Sequence, residues 1–470
     1  MRKLIGRILF AWPILFLAPG AFAAAATEIK LPKPEIEVLP NGLTTVWFVN
    51  DQLPVVDLAL LVKSGYRDDP AGKSGTAELV SATLDRGSRG MSAQQISDAV
   101  EMLGASRYTN SDDDTFTVGM HGLAPDAPAL LGLMAKIVLE PEFAPKEVAR
   151  EHARILDRWN HVGDYGESLA GLAYHRIIAA GTEYGRGSFL SEKEFRNVTR
   201  ADVIAFHRRH FTPGNSVVMV VGRVNKAEFR TRLQELFGKW QGPAPSRALK
   251  KYSDPRIQAP KGQVVLVGRD NLTQAQVRLG FRSPSLKDPD HYALVVANAL
   301  LGEYFNSRLN SLIRDKLGLT YGIGSSFGYS RDLARFTISS ATRNEQVGEL
   351  LKKTLEVLQD LAKGPIPDAE VNMAKEYLVG GFPLSVATLG TVASRWLSGY
   401  IYELGPDYLN EFVPRVSAVT PAQVQAAVRK HLRTQLKDLV IVVAGEPTTV
   451  HSSLKSAGFA VKRATVENLK

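Results

Sequence analysis

Two stretches decide how this chain folds: "DTFTVGMHGLAPDAPALLGLMAKIVLEPEFAPKEV", residues 114–148, and "ARFTISSATRNEQVGELLKKTLEVLQDLAKGPIPDAEV", residues 334–371. Each reads as an alternating strand, a turn, a long amphipathic helix, a proline-marked turn and the start of another helix. A second matched pair follows, "GNSVVMVVGRV" at 214–224 and "LKDLVIVVAGEP" at 436–447. Each of these apolar strands comes after a helical stretch rich in basic residues, "VIAFHRRHF" and "VQAAVRKHL". The offset between partners stays near 220 residues, from Asp114 to Ala334 and from Gly214 to Leu436. Solenoid units are far shorter, so a repeat of this length means a duplicated domain.

Working outward, each half opens with further strands, "IEVLPNGLTTVWFVND" with its Pro-Asn-Gly turn, and "GQVVLVGRDNLTQAQVRLGFRSP". Strands with clustered helices predict an α+β chain of two homologous α/β sandwich domains joined by a linker. The expected boundaries are a signal peptide over 1–26, domains over 27–240 and 261–470, and a linker over 241–260, "QGPAPSRALKKYSDPRIQAP". At 470 residues two cores are needed, because a single core stops growing near ~250–300.

Arg2, Lys3 and Arg7 precede the apolar run "ILFAWPILFLAPGAFAAAA", the pattern of a cleaved secretory signal. That run is short and interrupted by proline, and no other apolar segment is long enough to span a bilayer, so no stable membrane insertion is expected. Zero cysteines exclude a lipid-anchored cysteine, disulfides and thiol chemistry. The expected location is a periplasm. The net charge of +9 is scattered apart from the linker run, which argues for a solvated connector and against nucleic acid as a partner.

The nine histidines include no pair spaced for a zinc helix. His207 and His210 share a helix face without a carboxylate to complete a site, and a packed pair is the plainer reading. Asp112-Asp113-Asp114 suits a turn better than a calcium loop. The segment "YFNSRLNSLIRDKLGLTYGIGSSF", residues 304–327, reads as a helix carrying Arg308, Arg314 and Lys316, ended by Gly318, with Tyr321 at the start of a glycine-rich strand.

On "SRLNSLIRDKLGLTYGIGSSF", and over essentially the whole chain after the leader, the sequence resembles the M16 metallopeptidases, the insulinase or pitrilysin family, in its short two-subunit branch. The resemblance implies that Arg314 positions substrate and Tyr321 stabilises the oxyanion beside a zinc ion held elsewhere. Catalytic members carry Gly-Leu-Ala-His-x-x-Glu-His-x-x-x-x-Gly-Thr, where this chain has "GTAELVSATLDRGS" from Gly75. The first zinc histidine maps to Glu78, the general base to Ser81, the second histidine to Ala82, and the distal glutamate to Arg158. Tyr108 and Ser111 replace edge residues of the family's substrate site, whereas Asp114 is kept. The segment "NALLGEYFNSRL" lacks the glycine-rich loop of the presequence-processing subunits.

Without those ligands the chain is expected to bind no metal or cofactor, and Glu78 is expected to pair with Arg158. The expected function is that of the zinc-less subunit of a heterodimeric zinc metallopeptidase acting on peptides. Its partner would be a homologous M16-type subunit carrying His-x-x-Glu-His and the zinc. Two other readings stay open: an inactive peptide-binding or scaffold homodimer of the same fold, and a metal enzyme with an unrecognised ligand set.

Overall fold

A computed structural model describes residues 30–185, 191–245 and 261–465. The expected signal segment, and residues 246–260 of the expected linker, lie outside the described residues. The first half forms β1 (Glu35–Val38), β2 (Thr44–Val49), β3 (Val55–Val62), a small hairpin of β4 (Gly87–Ser88) and β5 (Met91–Ser92), then β6 (Ser106–Ser111), β7 (Phe116–Leu123) and β8 (Ser216–Gly222). The second half forms β9 (Gln263–Gly268), β10 (Gln274–Arg282), β11 (Ile323–Tyr329), β12 (Ala334–Arg343), β13 (Val440–Gly445) and β14 (Ala460–Ala464).

The first sheet runs β6-β7-β3-β8-β2-β1 and the second β11-β12-β10-β13-β9-β14. Five positions correspond one to one, including the single internal parallel pair, β2 with β8 and β9 with β13. Only the last strand differs. β1 enters from before β2 through a Gly42 turn (φ 90°) and runs antiparallel to it, while β14 arrives from the far end of the chain and runs parallel to β9. The two pseudo-symmetric lobes are the duplicated α+β domains that the repeat predicts.

The central strands read as near-continuous apolar runs because both of their faces are covered. Val217, Val218 and Val220 of β8 are fully buried, as are Val442 and Val443 of β13. One face of each sheet lies under its own helices, such as Ala127–Leu139 and Val347–Lys363. The other face is covered by a helix from the opposite half. Gly166–Ile178 of the first half lies on the second sheet, where Tyr174 Oη donates to the Phe336 carbonyl at 2.9 Å. Gly280 permits that approach, since a Cβ there would stand 2.3 Å from Tyr174 Oη. Leu389–Ile401 of the second half lies on the first sheet, with Trp396 edge-on to Phe48 at 6.0 Å. With this exchange the described residues from Leu31 onward form one compact unit.

Among the described residues no single helix is long and apolar enough to cross a membrane. The apolar pair Asp368–Ser385 and Leu389–Ile401 is bent by 114° at its junction.

Candidate functional site

The helix that the resemblance reads as a degenerate zinc helix spans Thr76–Thr83, and its small apolar residues bury it. Ala77, Leu79 and Val80 are fully buried, and Ala82 packs against the same core. Gly75 has no side chain to cap the helix. The buried Asp69 carboxylate does so instead, accepting from Gly75 N at 2.6 Å and Ala77 N at 2.7 Å. Ser81 is buried, and its carbonyl accepts from Thr109 Oγ1 of the edge strand β6 at 3.1 Å. Arg158 Nη2 donates to Glu78 Oε1, so these two positions meet as an ion pair.

That pair belongs to a set of arginines which the sequence reading missed. Helix Pro145–Asn160 presents Arg150, Arg154 and Arg158 at i, i+4 and i+8, a spacing legible in the sequence. Between them Glu151 is buried and accepts from Arg154 Nε at 2.6 Å, with Arg86 Nε at 3.5 Å and Arg150 Nη2 at 3.4 Å. Arg107 Nε meets Asp85 at 3.1 Å. Guanidinium groups do not give up their proton and cannot ligate a metal. They pair with the carboxylates around the helix, and among the described residues no group of three potential metal ligands gathers there.

Elsewhere one group of three potential ligands comes together among the described residues: Asp288, Asp290 and His431. It lies in the second lobe, and Asp290 Oδ2 already accepts from Lys430 Nζ at 2.7 Å and sits 2.8 Å from His431 Nε2. His207 and His210 do not converge. His207 Nε2 lies 2.9 Å from the Val138 carbonyl, and His210 Nδ1 lies 2.9 Å from Ser64 Oγ. Burial lowers both imidazoles to a pKa of about 4, so each is neutral.

Arg314 lies in a helix, Asn310–Lys316, widened to i→i+5 bonding: Leu317 N donates to Leu312 O at 3.0 Å. Gly318, at φ 62°, follows it. The Arg314 guanidinium lies 3.5 Å from the centroid of Phe305, and its Nε donates to Asp315 at 2.8 Å. Tyr321 is 100% exposed. One detail departs from expectation, because the strand begins at Ile323 and Tyr321 stands in the turn before it. Thr320 Oγ1 holds that turn by donating to Ala341 O at 2.6 Å and accepting from Gly322 N at 3.1 Å. Among the described residues no hydrogen bond or ion pair joins Arg314 or Tyr321 to the degenerate helix.

The retained Asp114 has a structural partner. The turn 112–115 is built on Asp112 Oδ1, which accepts from Asp114 N and Thr115 N. It docks on the β11–β12 turn of the other lobe. Asp114 accepts from Tyr184 Oη at 3.0 Å and from Arg331 N at 2.7 Å, and lies 2.9 Å from Arg67 Nη1. Burial opposes the charge on Arg67, yet Asp114 beside it holds the guanidinium pKa above its ordinary value.

Next to it, burial and then the Asp114 charge push Asp113 up to about 6, although Ser330 Oγ donates to it at 3.2 Å. A carboxyl whose pKa is raised on folding favours the folded state while protonated. That contribution is complete below pH ~4 and is lost as pH rises through about 6. Asp113→Asn is therefore expected to raise stability at pH 7.5 by about 1–2 kcal/mol and to change it little at pH 4. Denaturant titrations at the two pH values check this, and an equal effect at both would refute the assignment.

Comparisons with known proteins agree with this geometry. Residues 45–188 match the family model "Insulinase (Peptidase family M16)" and residues 197–378 match "Peptidase M16 inactive domain". An uncharacterized zinc protease of Mycobacterium tuberculosis is 25% identical over 426 residues, 90% of this chain and 96% of that protein. The zinc protease PqqE of Helicobacter pylori is 26% identical over 79% of this chain and 84% of its own length. Among solved structures, a peptidase M16 inactive domain from Pseudomonas fluorescens superposes with a TM-score of 0.80 at 25% identity, covering 89% of this chain and 98% of that one. A protease from Helicobacter pylori superposes at 0.79 and 21% identity, over 89% of this chain and all of the other, a likeness of fold alone. With an insulinase-type module followed by an inactive-type module on two pseudo-symmetric lobes, this chain has the fold of the M16 metallopeptidase family.

Proposed function

We propose that the protein is the zinc-less subunit of a heterodimeric zinc peptidase and supplies Arg314 and Tyr321 to an active site completed by its partner. One asymmetry carries this reading. On the helix that would hold zinc, Glu78 is paired with Arg158, whereas Tyr321 stands fully exposed on the turn that follows the Arg314 helix. A carboxylate already answered by a guanidinium is not open to a metal, but an exposed tyrosine on a hydrogen-bonded turn is free to meet a substrate brought by another subunit. The partner is an M16-type chain with His-x-x-Glu-His, sought in the same exported compartment, and the substrates are unstructured peptides. The relatives named as zinc proteases support the reaction class.

The purified protein after dialysis is expected to hold well under one zinc per chain, since Glu78, Ser81, Ala82 and Arg158 form no ligand set. Alone it is expected to cleave an unstructured peptide negligibly, and mixed with the zinc-bearing homologue it is expected to cleave it. Metal analysis and a peptide assay test both halves. Near-equimolar zinc lost on Asp288→Ala or Glu151→Ala would establish the independent metal enzyme instead. A stable homodimer that leaves the homologue's activity unchanged would establish the scaffold.

A further inference from the structure

Arg314 is a cation that its own surroundings already answer. Its Nε donates to Asp315 Oδ1 at 2.8 Å and its Nη2 lies 3.3 Å from Asp315 Oδ2, so one carboxylate takes the whole Nε–Nη2 edge. Nη2 also reaches the Phe305 carbonyl, at 3.5 Å. The Phe305 ring, itself 71% exposed, covers one face of the guanidinium at 3.5 Å. The Arg314 side chain is thereby left 17% exposed.

What remains is Nη1, which no hydrogen bond or ion pair reaches among the described residues. A guanidinium recognises a carboxylate through two parallel N–H groups on different nitrogens and through its net charge. Here Nε and Nη2 both have acceptors, and Asp315 balances the charge from the next position in the chain. An acidic group therefore finds neither a free edge nor an excess of positive charge. Nη1 can still donate to a single carbonyl oxygen, which requires neither. The helical segment that carries the pair is widened to i→i+5 bonding, a form frequent at functional sites.

We propose that Asp315 is a specificity-determining residue. By occupying Arg314 it makes the site take uncharged stretches of peptide, through a backbone carbonyl on Nη1, and turn away acidic side chains and free C-terminal carboxylates. The inference rests on the zinc-less subunit reading and names the substrates of that same site as internal, non-acidic peptide segments.

The mixed pair of this chain and its zinc-bearing homologue tests it. Cleavage of an unstructured peptide is mapped by mass spectrometry, and Glu or its neutral isostere Gln is then placed in turn at each neighbouring residue on either side of the cut. At one position or more, the unmodified pair is expected to cleave the Gln peptide about tenfold faster, as kcat/KM, the range of one charge-assisted hydrogen bond. Asp315→Asn keeps the shape and removes the charge, and is expected to raise the Glu-to-Gln ratio there by about tenfold, as is Asp315→Ser. Glu370→Gln removes a charge paired with a different arginine, Arg308 at 2.7 Å, and is expected to leave the ratio unchanged. Circular dichroism and association with the homologue are checked for each variant. A pair that cleaves neither peptide removes the zinc-less subunit reading, and this proposal with it. Cleavage without a preference for Gln, or with a ratio that Asp315→Asn leaves in place or that Glu370→Gln shifts as far, overturns this proposal alone.

Discussion

Tyr321→Phe is expected to lower the turnover of the mixed subunit pair by roughly 100- to 1,000-fold, the effect of losing one oxyanion donor and equal to about 2.7–4 kcal/mol. The substitution removes a single hydroxyl. Because Tyr321 is fully exposed and no hydrogen bond holds its Oη among the described residues, neither the lobe nor the turn depends on that group. The turn is fixed by Thr320 instead. When the scissile carbonyl is attacked, negative charge builds on its oxygen, and a hydroxyl donor in a site closed to water acts most strongly there. Single-turnover cleavage by the mixed pair, with association measured separately, is the test. Normal pairing with an unchanged rate would remove Tyr321 from the reaction and leave the scaffold reading.

The second large effect concerns stability. Arg67→Met is expected to cost about 3–5 kcal/mol, the range for removing one partner of a buried ion pair. The Arg67 side chain is 1% exposed and that of Asp114 6%. Its guanidinium also donates to Tyr184 Oη at 2.8 Å and to Asp332 at 3.0 Å. Without it, Asp114 stays buried with its charge uncompensated, at the place where the β6–β7 turn meets the β11–β12 turn. The double change Arg67→Met with Asp114→Leu is expected to recover part of the loss, because no orphan charge remains. Denaturant midpoints for the two variants decide it. A loss under about 1 kcal/mol in Arg67→Met would mean that solvent enters the junction and screens the pair.

The same junction explains why Asp114 is present beside the altered Tyr108 and Ser111. Its carboxylate ties one lobe to the other, a role that holds whether or not β6 receives a peptide. A residue inside a family motif can thus persist for packing, and only its partners distinguish the two roles.

Several features were legible in the residues themselves. Period-two alternation, amphipathic helices and an offset near 220 residues determined two matching α+β lobes, since these patterns are local and each half carries its own. That Glu78 would pair with Arg158 was also legible, because a carboxylate and a guanidinium attract wherever the fold brings them together, and the two do meet. The stripe Arg150, Arg154 and Arg158 was visible as spacing, and Glu151 pairs with Arg154 within its own helix, but the pairing of Arg158 with Glu78 and of Arg86 with Glu151 arises only when the Pro145–Asn160 helix packs on Thr76–Thr83. Tertiary structure alone decided the exchange of helices between sheets and the Arg67–Asp114–Tyr184 junction. Each joins residues far apart in the chain, such as Tyr174 with Phe336 or Arg67 with Asp114. Local propensity and periodicity govern how a segment curls, while which apolar face covers which sheet is settled by the burial available when both halves condense together.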